Sequence, residues 1–358
     1  MLKFIVNRFY RASLILFGVI SVVFVLFTIL PGDPARMMLG QRDDESQLKA
    51  INQKFAFDKP VHIQYLFYLN DLSPISLHSP QKESFTNLQS KTYTYTPLLS
   101  VNNYQLVIKF PYLRTSFNKS GKPVSEIISE TLPNTIILAV TSIILAIILG
   151  TLIGIIAAVF KDSWIDKLAL IFGVLGMSLP SFFSAIIVAW LFGYLLHDIT
   201  GLNMTGSLYS VDDYGRGEYL SLQNLILPAL TLGVRPLAVI IQLTRASFLE
   251  TLSKDYVRTA YAKGLSVAKV LSKHVLKNSL NPVVTAVSGW FASLLAGAVF
   301  VEYIFAWDGL GKEIVEALNQ LDLPVVMGSV LTISILFIII NFFTDYVYTL
   351  LDPRIKIN

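Results

Sequence analysis

Residues able to do covalent chemistry are sparse in this sequence, and none stands in a spacing that would let it act with another. The four histidines, His62, His78, His197 and His274, lie far apart, and there is no cysteine. Disulfide frameworks, zinc–thiolate sites and thiol catalysis are thereby excluded. No H-E-x-x-H, D-x-D or G-x-S-x-G pattern occurs, so the metal and nucleophile sites built on those spacings are not expected. Gly309-Leu310-Gly311-Lys312 imitates the end of a phosphate loop. Position 306 is Ala and position 313 is Glu, however, where that loop needs Gly and a hydroxyl. The chain is expected to hold no ATP site, cofactor or metal ion of its own and not to be an enzyme.

What remains is charge and periodicity, concentrated between Asp255 and Asn281-Pro282. The pattern predicts a short helix, a break at Gly264 and a second helix. Val257, Ala260, Tyr261, Gly264, Ala268, Leu271 and Val275 repeat at i, i+3, i+4 spacing, and Lys269, Lys273 and Lys277 form a basic stripe. Small residues in the first helix (Ala260, Ala262, Gly264) suit a cleft in a partner. A basic amphipathic loop lying on anionic headgroups would read similarly. A second candidate is Arg235, the charge in an otherwise apolar stretch. A charge at that depth is costly unless it meets water or a partner. It either lines a solute path, bonds local carbonyls or lies shallower than the stretch suggests.

The elements that must position these residues are set by hydrophobicity. Of 358 residues 54% are hydrophobic and 15% charged, against about a quarter charged in soluble domains. This excludes an ordinary soluble enzyme and a disordered chain. The net charge of +4 is modest and no clustered basic soluble domain is visible, so nucleic acid is not an expected partner. A membrane crossing needs about 20 apolar residues. Six stretches qualify: 12–31, 132–160, 168–196, 222–244, 282–301 and 325–344. All but the fourth, which holds Arg235, lack Asp, Glu, Lys and Arg. The first has a basic flank (Lys3, Arg8, Arg11) but no small-residue cleavage site after it, and reads as an uncleaved anchor helix. Lys161 and Lys167, the basic stretch 254–277, and Arg354 with Lys356 mark cytoplasmic segments. Acidic residues dominate the 197–221 and 302–324 connections. Both termini are therefore expected in the cytoplasm. Gly150-x-x-x-Gly154 and the small residues Gly289, Ala292, Ala296 and Gly297 suit close helix packing. Pro180 is expected to kink or break the third span, as a packing kink or as a gate hinge.

The motifs occur in an order that resembles one family. Arg258-Thr259-Ala260-x-Ala262-Lys263-Gly264-Leu265 followed by Pro282 is similar to the "EAA" loop of ABC-transporter permeases, in the variant of the dipeptide, oligopeptide and nickel importers. Leu30-Pro31-Gly32-Asp33-Pro34, Leu227-Pro228-Ala229-Leu230-Thr231-Leu232-Gly233, Leu243-Thr244-Arg245-Ala246-Ser247, Glu302-x-Ile304-Phe305-x-Trp307-x-Gly309-Leu310-Gly311, Pro324-Val325-Val326-x-Gly328 and Leu351-Asp352-Pro353-Arg354-Ile355 match in the same order. The first span followed by L-P-G-D-P resembles the first permease subunit type. Asp308, where Pro is common, and Leu321-Asp322-Leu323, where Arg-Asp-Tyr is common, depart from the pattern.

The resemblance implies an all-α integral membrane protein with six transmembrane helices of the type I ABC importer permease kind. It carries a large extracytoplasmic loop with a small β element. Expected regions are an N-terminal transmembrane helix 1–31, the extracytoplasmic loop region 32–131, a five-helix permease core 132–351 containing the cytoplasmic coupling loop 250–281, and a cytoplasmic tail 352–358. Thr92–Thr96 and Tyr104–Ile108 are predicted strands of a hairpin within an enlarged stretch, about 73–109. The implied function is a pore-forming permease of an ATP-driven importer in the bacterial-type cytoplasmic membrane, moving peptides or a related small solute by alternating access. Its implied partners are a second homologous permease, two ABC ATPase subunits, an extracytoplasmic substrate-binding protein and membrane lipid. Asp255, Tyr256, Arg258, Thr259, Ala260, Ala262, Lys263, Gly264 and Leu265 would couple to the ATPase. Arg235 and Pro180 would belong to the translocation path, and Glu302, Trp307, Asp308 and Gly309 to the side that meets the binding protein. The competing readings are a secondary transporter or channel working alone, which the scarcity of acidic residues within the spans disfavours, and a membrane-anchored scaffold or insertase with no solute path.

Overall fold

The structure, a computed structural model, describes residues 2–29, 34–39, 45–81, 86–88, 95–101, 104–119, 121–212 and 217–351. In chain order the elements are α1 (Leu2–Ile29), α2 (Pro34–Leu39), α3 (Glu45–Phe55), α4 (Val61–Leu72), β1 (Ile75–His78), β2 (Tyr95–Val101), β3 (Tyr104–Lys109), α5 (Val124–Val159), α6 (Trp164–Ser178) and α7 (Ser181–Val188). A π-helical stretch, Ala189–Leu195, continues α7. Then come α8 (His197–Thr200), β4 (Tyr209–Val211), β5 (Glu218–Leu220), α9 (Gln223–Leu252), α10 (Asp255–Ala262) and α11 (Val267–Val270). A second π-helical stretch, Leu271–Leu276, leads to α12 (Lys277–Ser279), α13 (Asn281–Phe305), α14 (Leu310–Asn319) and α15 (Leu323–Leu351). The chain divides into two compact units. A core unit comprises Met1–Arg8, Glu130–Val315 and Ile333–Asn358. An N-terminal unit comprises Phe9–Ser129 and Glu316–Thr332.

Among the described residues, α5, α9, α13 and Leu323–Thr344 of α15 are long and apolar enough to cross a bilayer. The expected third span is not one straight helix. Trp164–Ser178 and Ser181–Leu195 are bent by 114°, because Pro180 sits at φ −61°, ψ 141° as the residue before α7. Pro180 therefore breaks the helix. Its predecessor Leu179 is extended, as sterics before proline favour. Six unbroken spans are thus not observed: the third is a bent pair, and α1 contributes a shorter apolar stretch, Tyr10–Leu26.

The core unit is organised on α9, which packs against α6, α7 and α13. Small residues set its close approach to α5. A Cβ on Gly150 would lie 2.8 Å from Ile240, and one on Gly154 would lie 2.7 Å from Thr244. No larger residue fits at either place, which gives the Gly150-x-x-x-Gly154 spacing its physical reason. The small residues of α13 behave differently. Ala292 is buried, but Gly289 and Ala296 are exposed, and nothing lies within 4 Å of the position a Gly289 Cβ would take.

In the N-terminal unit, Leu16, Ile20, Val23 and Phe24 of α1 pack with Tyr68, Leu72, Met327 and Leu331, and Ser21 bonds the Tyr65 hydroxyl at 2.6 Å. The expected hairpin is present as β2 and β3. β1 adds a third antiparallel strand in the order β1-β3-β2, with Ile75 opposite Ile108 and Ile108 opposite Thr96. Residues 92–94 of the predicted first strand lie outside the described residues. The inward face of the sheet is mixed, with Val107 fully buried opposite Ser76. Ser76, His78 and Lys109 face inward, while Ile75, Leu77, Leu99, Tyr104 and Ile108 are exposed. Its polar groups are satisfied internally. The His78 ring bonds Ser76 Oγ at 2.8 Å and the Thr86 carbonyl at 2.8 Å, and Lys109 Nζ donates to the Asp71 carbonyl. The Asp71 carboxylate accepts from Arg114 Nε at 2.9 Å. Asp322, the family's aspartate between the departing Leu321 and Leu323, is buried here. It accepts from the Ser116 hydroxyl and from the Phe117 and Asn118 amides at 3.1 and 3.2 Å.

Candidate functional site

The stretch between α9 and α13 is built as the periodicity predicted, with a change of phase at the break. Val257 and Ala260 of α10 are buried against Ala158, Phe248, Val270 and Val275. Tyr261, Gly264 and Ala268 were expected on the same apolar stripe but are exposed. The turn at Gly264 reorients the chain, and α11 buries Val270 instead. That turn is a Schellman end. The Leu265 amide donates to the Ala260 carbonyl (3.4 Å) and the Gly264 amide to the Tyr261 carbonyl (2.9 Å). The pattern requires a left-handed residue after the helix, and Gly264 supplies φ +78°. Leu265 packs beside Ala260 in the same cluster, the apolar contact that accompanies this motif. No atom lies within 4 Å of a Gly264 Cβ. The glycine is needed for its backbone angle alone, and tight packing plays no part.

The opposite face of α10 is free. Asp255, Tyr256, Arg258, Thr259, Tyr261, Ala262 and Lys263 are exposed. Arg258 and Asp255 approach at 3.8 Å with both side chains in solvent, a pair that contributes little. The Tyr256 hydroxyl accepts from Asn278 Nδ2 at 3.1 Å, tying α10 to α12 at the foot of α13. The helix is therefore anchored by two buried residues and one hydrogen bond while its outer face stays available.

A rigid connection behind this platform was not read as functional from the sequence. Arg245 of α9 forms a bidentate pair with Asp166, Nη2 to Oδ2 at 2.7 Å and Nε to Oδ1. Asp166 is 2% exposed. It also accepts from the Asp162 amide at 2.9 Å, while Ser163 caps α6. A buried carboxylate at a helix start, with an arginine on the adjacent helix, satisfies both charges. Arg245 was visible only as part of a family motif. Its partner, 79 residues away, carried no local signal.

Arg235 is exposed at mid-α9, with no ion pair among the described residues. Gly176, four residues before Pro180, packs on Val234 and Ala238, both at 3.1 Å from the Cβ it would bear. The bend and Arg235 thus lie at neighbouring levels of the bundle.

Of the four residues expected on the binding-protein side, Glu302, Trp307 and Gly309 are buried, and Asp308 alone is exposed. They form the turn between α13 and α14. α13 ends with Ala306 at φ 54°, closed by Trp307 N to Glu302 O at 2.8 Å. Glu302 Oε2 accepts from the Gly311 and Lys312 amides at 2.6 and 3.2 Å, placing a carboxylate at the N-terminus of α14, where unpaired amides favour it. A Cβ on Gly309 would fall 2.4 Å from that carboxylate, and one on Gly311 would fall 2.8 Å away. Trp307 Nε1 donates to the Asn134 carbonyl (3.1 Å), and Asn134 Nδ2 to the Asp308 carbonyl (2.7 Å). The spacing of Glu302, Trp307, Gly309 and Gly311 is thus a packing requirement. Among the described residues no group of three His, Asp or Glu could hold a metal ion.

Comparison with known proteins gives the family. Residues 150–357 match the family of the binding-protein-dependent transport system inner membrane component, and residues 1–80 match the N-terminal component of the same systems. A dipeptide transport system permease of Alkalihalophilus pseudofirmus is 32% identical, aligned over 99% of this chain and 100% of that protein. A di/tripeptide permease of Pseudomonas aeruginosa is 34% identical over 99% of each. A glutathione permease of Salmonella typhimurium is 33% identical over 99% of each. Among solved structures, a chain of an inward-facing methionine ABC transporter aligns with 17% identity and a TM-score of 0.47, covering 62% of this chain and 94% of that one. The chain belongs to the binding-protein-dependent transport system inner membrane component family, as a non-catalytic permease subunit of an ABC importer.

Proposed function

We propose that the chain forms half of a peptide-conducting pore and takes its power stroke through α10. The observation that carries the reading is α10 itself: a short helix locked from behind by Val257 and Ala260, ended by the Gly264 turn, with its outer face free. In this reading Asp255, Tyr256, Arg258, Thr259, Ala262 and Lys263 meet one of two ATPase subunits. Ala260 and Leu265 hold the helix in place. A second, homologous permease completes the pore. The exposed Gly289, Ser293 and Ala296 on one side of α13 support a close helix contact with it. Both termini and α10 face the cytoplasm of a bacterial-type cell. Arg235 and the Pro180 bend lie along the path. Asp308 lies on the side from which a binding protein delivers substrate. The names of the relatives support short peptides as the solute class.

Co-purification and uptake test the reading. Tagged chain should carry an ATPase and a second permease with it. The Gly264→Asp variant should insert and assemble but take up peptide well below the wild-type rate. A tagged chain that brings down no ATPase, or full uptake in Gly264→Asp, would sink the coupling role. Arg235→Leu should lower uptake severalfold, and an unchanged rate would remove Arg235 from the path.

A further inference from the structure

A groove of about 540 Å³ opens between α5 and α13. Its walls include Ile147 and Thr151 from α5, Val283, Val284 and Val287 from α13, and Leu280, the residue before α13. Behind it, Val283 packs with Ala146 and Ile240, and Ile147 and Val287 lie against them. The lining is aliphatic apart from Thr151, in two helices long and apolar enough to cross a bilayer. On α5, Ile144, Ile148, Leu152 and Ile156 continue outward as an exposed stripe at i, i+4 spacing.

At one end of this groove stands a basic group that the transport reading leaves without a role. Lys277 begins α12, one helical turn before Leu280, and Leu280 is itself helical at φ −82°, ψ −13°. Lys277 precedes Leu280 by only three residues in a helical backbone, which puts it at the Leu280 end of the groove. Lys273 lies four residues earlier, in the π-helical stretch. Both are exposed, and neither makes an ion pair among the described residues. The small-residue stripe offered to a second permease is elsewhere. At about 100° per residue, Val283, Val284 and Val287 occupy the face of α13 opposite Gly289, Ser293 and Ala296. A partner helix seated on those small residues would leave the groove open to the bilayer.

We propose that this groove binds one acyl chain of an anionic phospholipid, with the headgroup phosphate held by Lys277 and Lys273. An aliphatic channel ending in two unpaired cations matches the two halves of such a lipid. Because Asn278, beside Lys277, holds Tyr256, the bound headgroup would lie next to the foot of α10.

The site is tested without reference to transport, by photolabelling the full-length chain in phosphatidylcholine nanodiscs. The probes are phosphatidylglycerol and phosphatidylcholine bearing the same diazirine acyl chain. The phosphatidylglycerol probe should label segments 147–152 and 280–287 preferentially, and unlabelled phosphatidylglycerol should compete for them. Lys277→Gln should cut that labelling about fivefold, the loss of one lysine–headgroup attraction. Equal labelling by both probes in the wild type, or labelling unchanged by Lys277→Gln, overturns the proposal. So does a disulfide between a Val284→Cys variant of this chain and a single cysteine on the second permease. The native chain has no cysteine to confuse that last reading.

Discussion

Two residues show how differently a position can be required. Gly264 is open to solvent on its Cβ side, so only its left-handed backbone demands glycine. A left-handed residue with a side chain costs about 1–2 kcal/mol, less for Asn and Asp. Peptide uptake is therefore expected to fall in the order Gly264→Asn, Gly264→Asp, Gly264→Val, with the valine variant worst. Equal uptake across the three would show that the turn is not the coupling device. Arg245 is required for its charge. Arg245→Ala leaves Asp166 buried without its counter-ion, which costs about 3–5 kcal/mol. Asp166→Asn in the same chain should recover part of the loss. A double-mutant cycle on melting in detergent measures the coupling, and additive losses would contradict the pair's geometry.

At the scale of elements, helix ends carry more information here than helix interiors. α13 ends on Ala306 in the left-handed region, the place where glycine is favoured. Ala306→Gly should therefore raise stability by about 1 kcal/mol, and a lowered melting temperature would reject that account. α14 begins under the Glu302 carboxylate, and Gly309 has no room for a methyl group. Gly309→Ala and Glu302→Ala should each destabilise by about 2–4 kcal/mol, through a clash and through two freed amides. The double variant should cost clearly less than the sum, because either change already breaks the same contact. The bend at Pro180 belongs to the same class of feature. The proline marked the break in the sequence, and the structure gives it a bend of 114°, with the residue before it extended as sterics require.

At the scale of the whole molecule, the N-terminal unit carries a pH dependence of its own. Burial lowers the Lys109 ammonium to about 8, with the Asp71 charge opposing the shift. Its unfolded value is near 10.5, so between pH 8 and 10.5 the unfolded chain binds a proton that the folded chain has released. Stability must rise with pH across that window, by up to about 1.4 kcal/mol per pH unit. Below pH 8 the burial cost is present in full. Lys109→Met removes the term. The melting-temperature advantage of that variant over wild type should be largest at pH 7 and shrink towards pH 10. A difference that stays constant would show that Lys109 is not buried as a titrating charge.

Much of this protein is legible from residue order alone. Hydrophobic runs long enough to cross a bilayer mark the candidate spans. The motif order from Leu227 through Gly264 to Gly311 specifies a permease, because transfer to lipid and local turn chemistry are properties of contiguous sequence. The break at Gly264 and the hairpin partner at Tyr104–Ile108 were readable for the same reason. What only the tertiary structure decided involves residues far apart in the chain. It supplied Asp166 for Arg245 across 79 residues. It turned Glu302, Trp307 and Gly309 into a buried turn instead of a docking surface, and it added β1 to the sheet. It also changed the phase of the apolar stripe beyond Gly264, since one left-handed residue redirects every side chain after it. Burial and charge pairing are set by which surfaces meet, and no local pattern encodes that meeting.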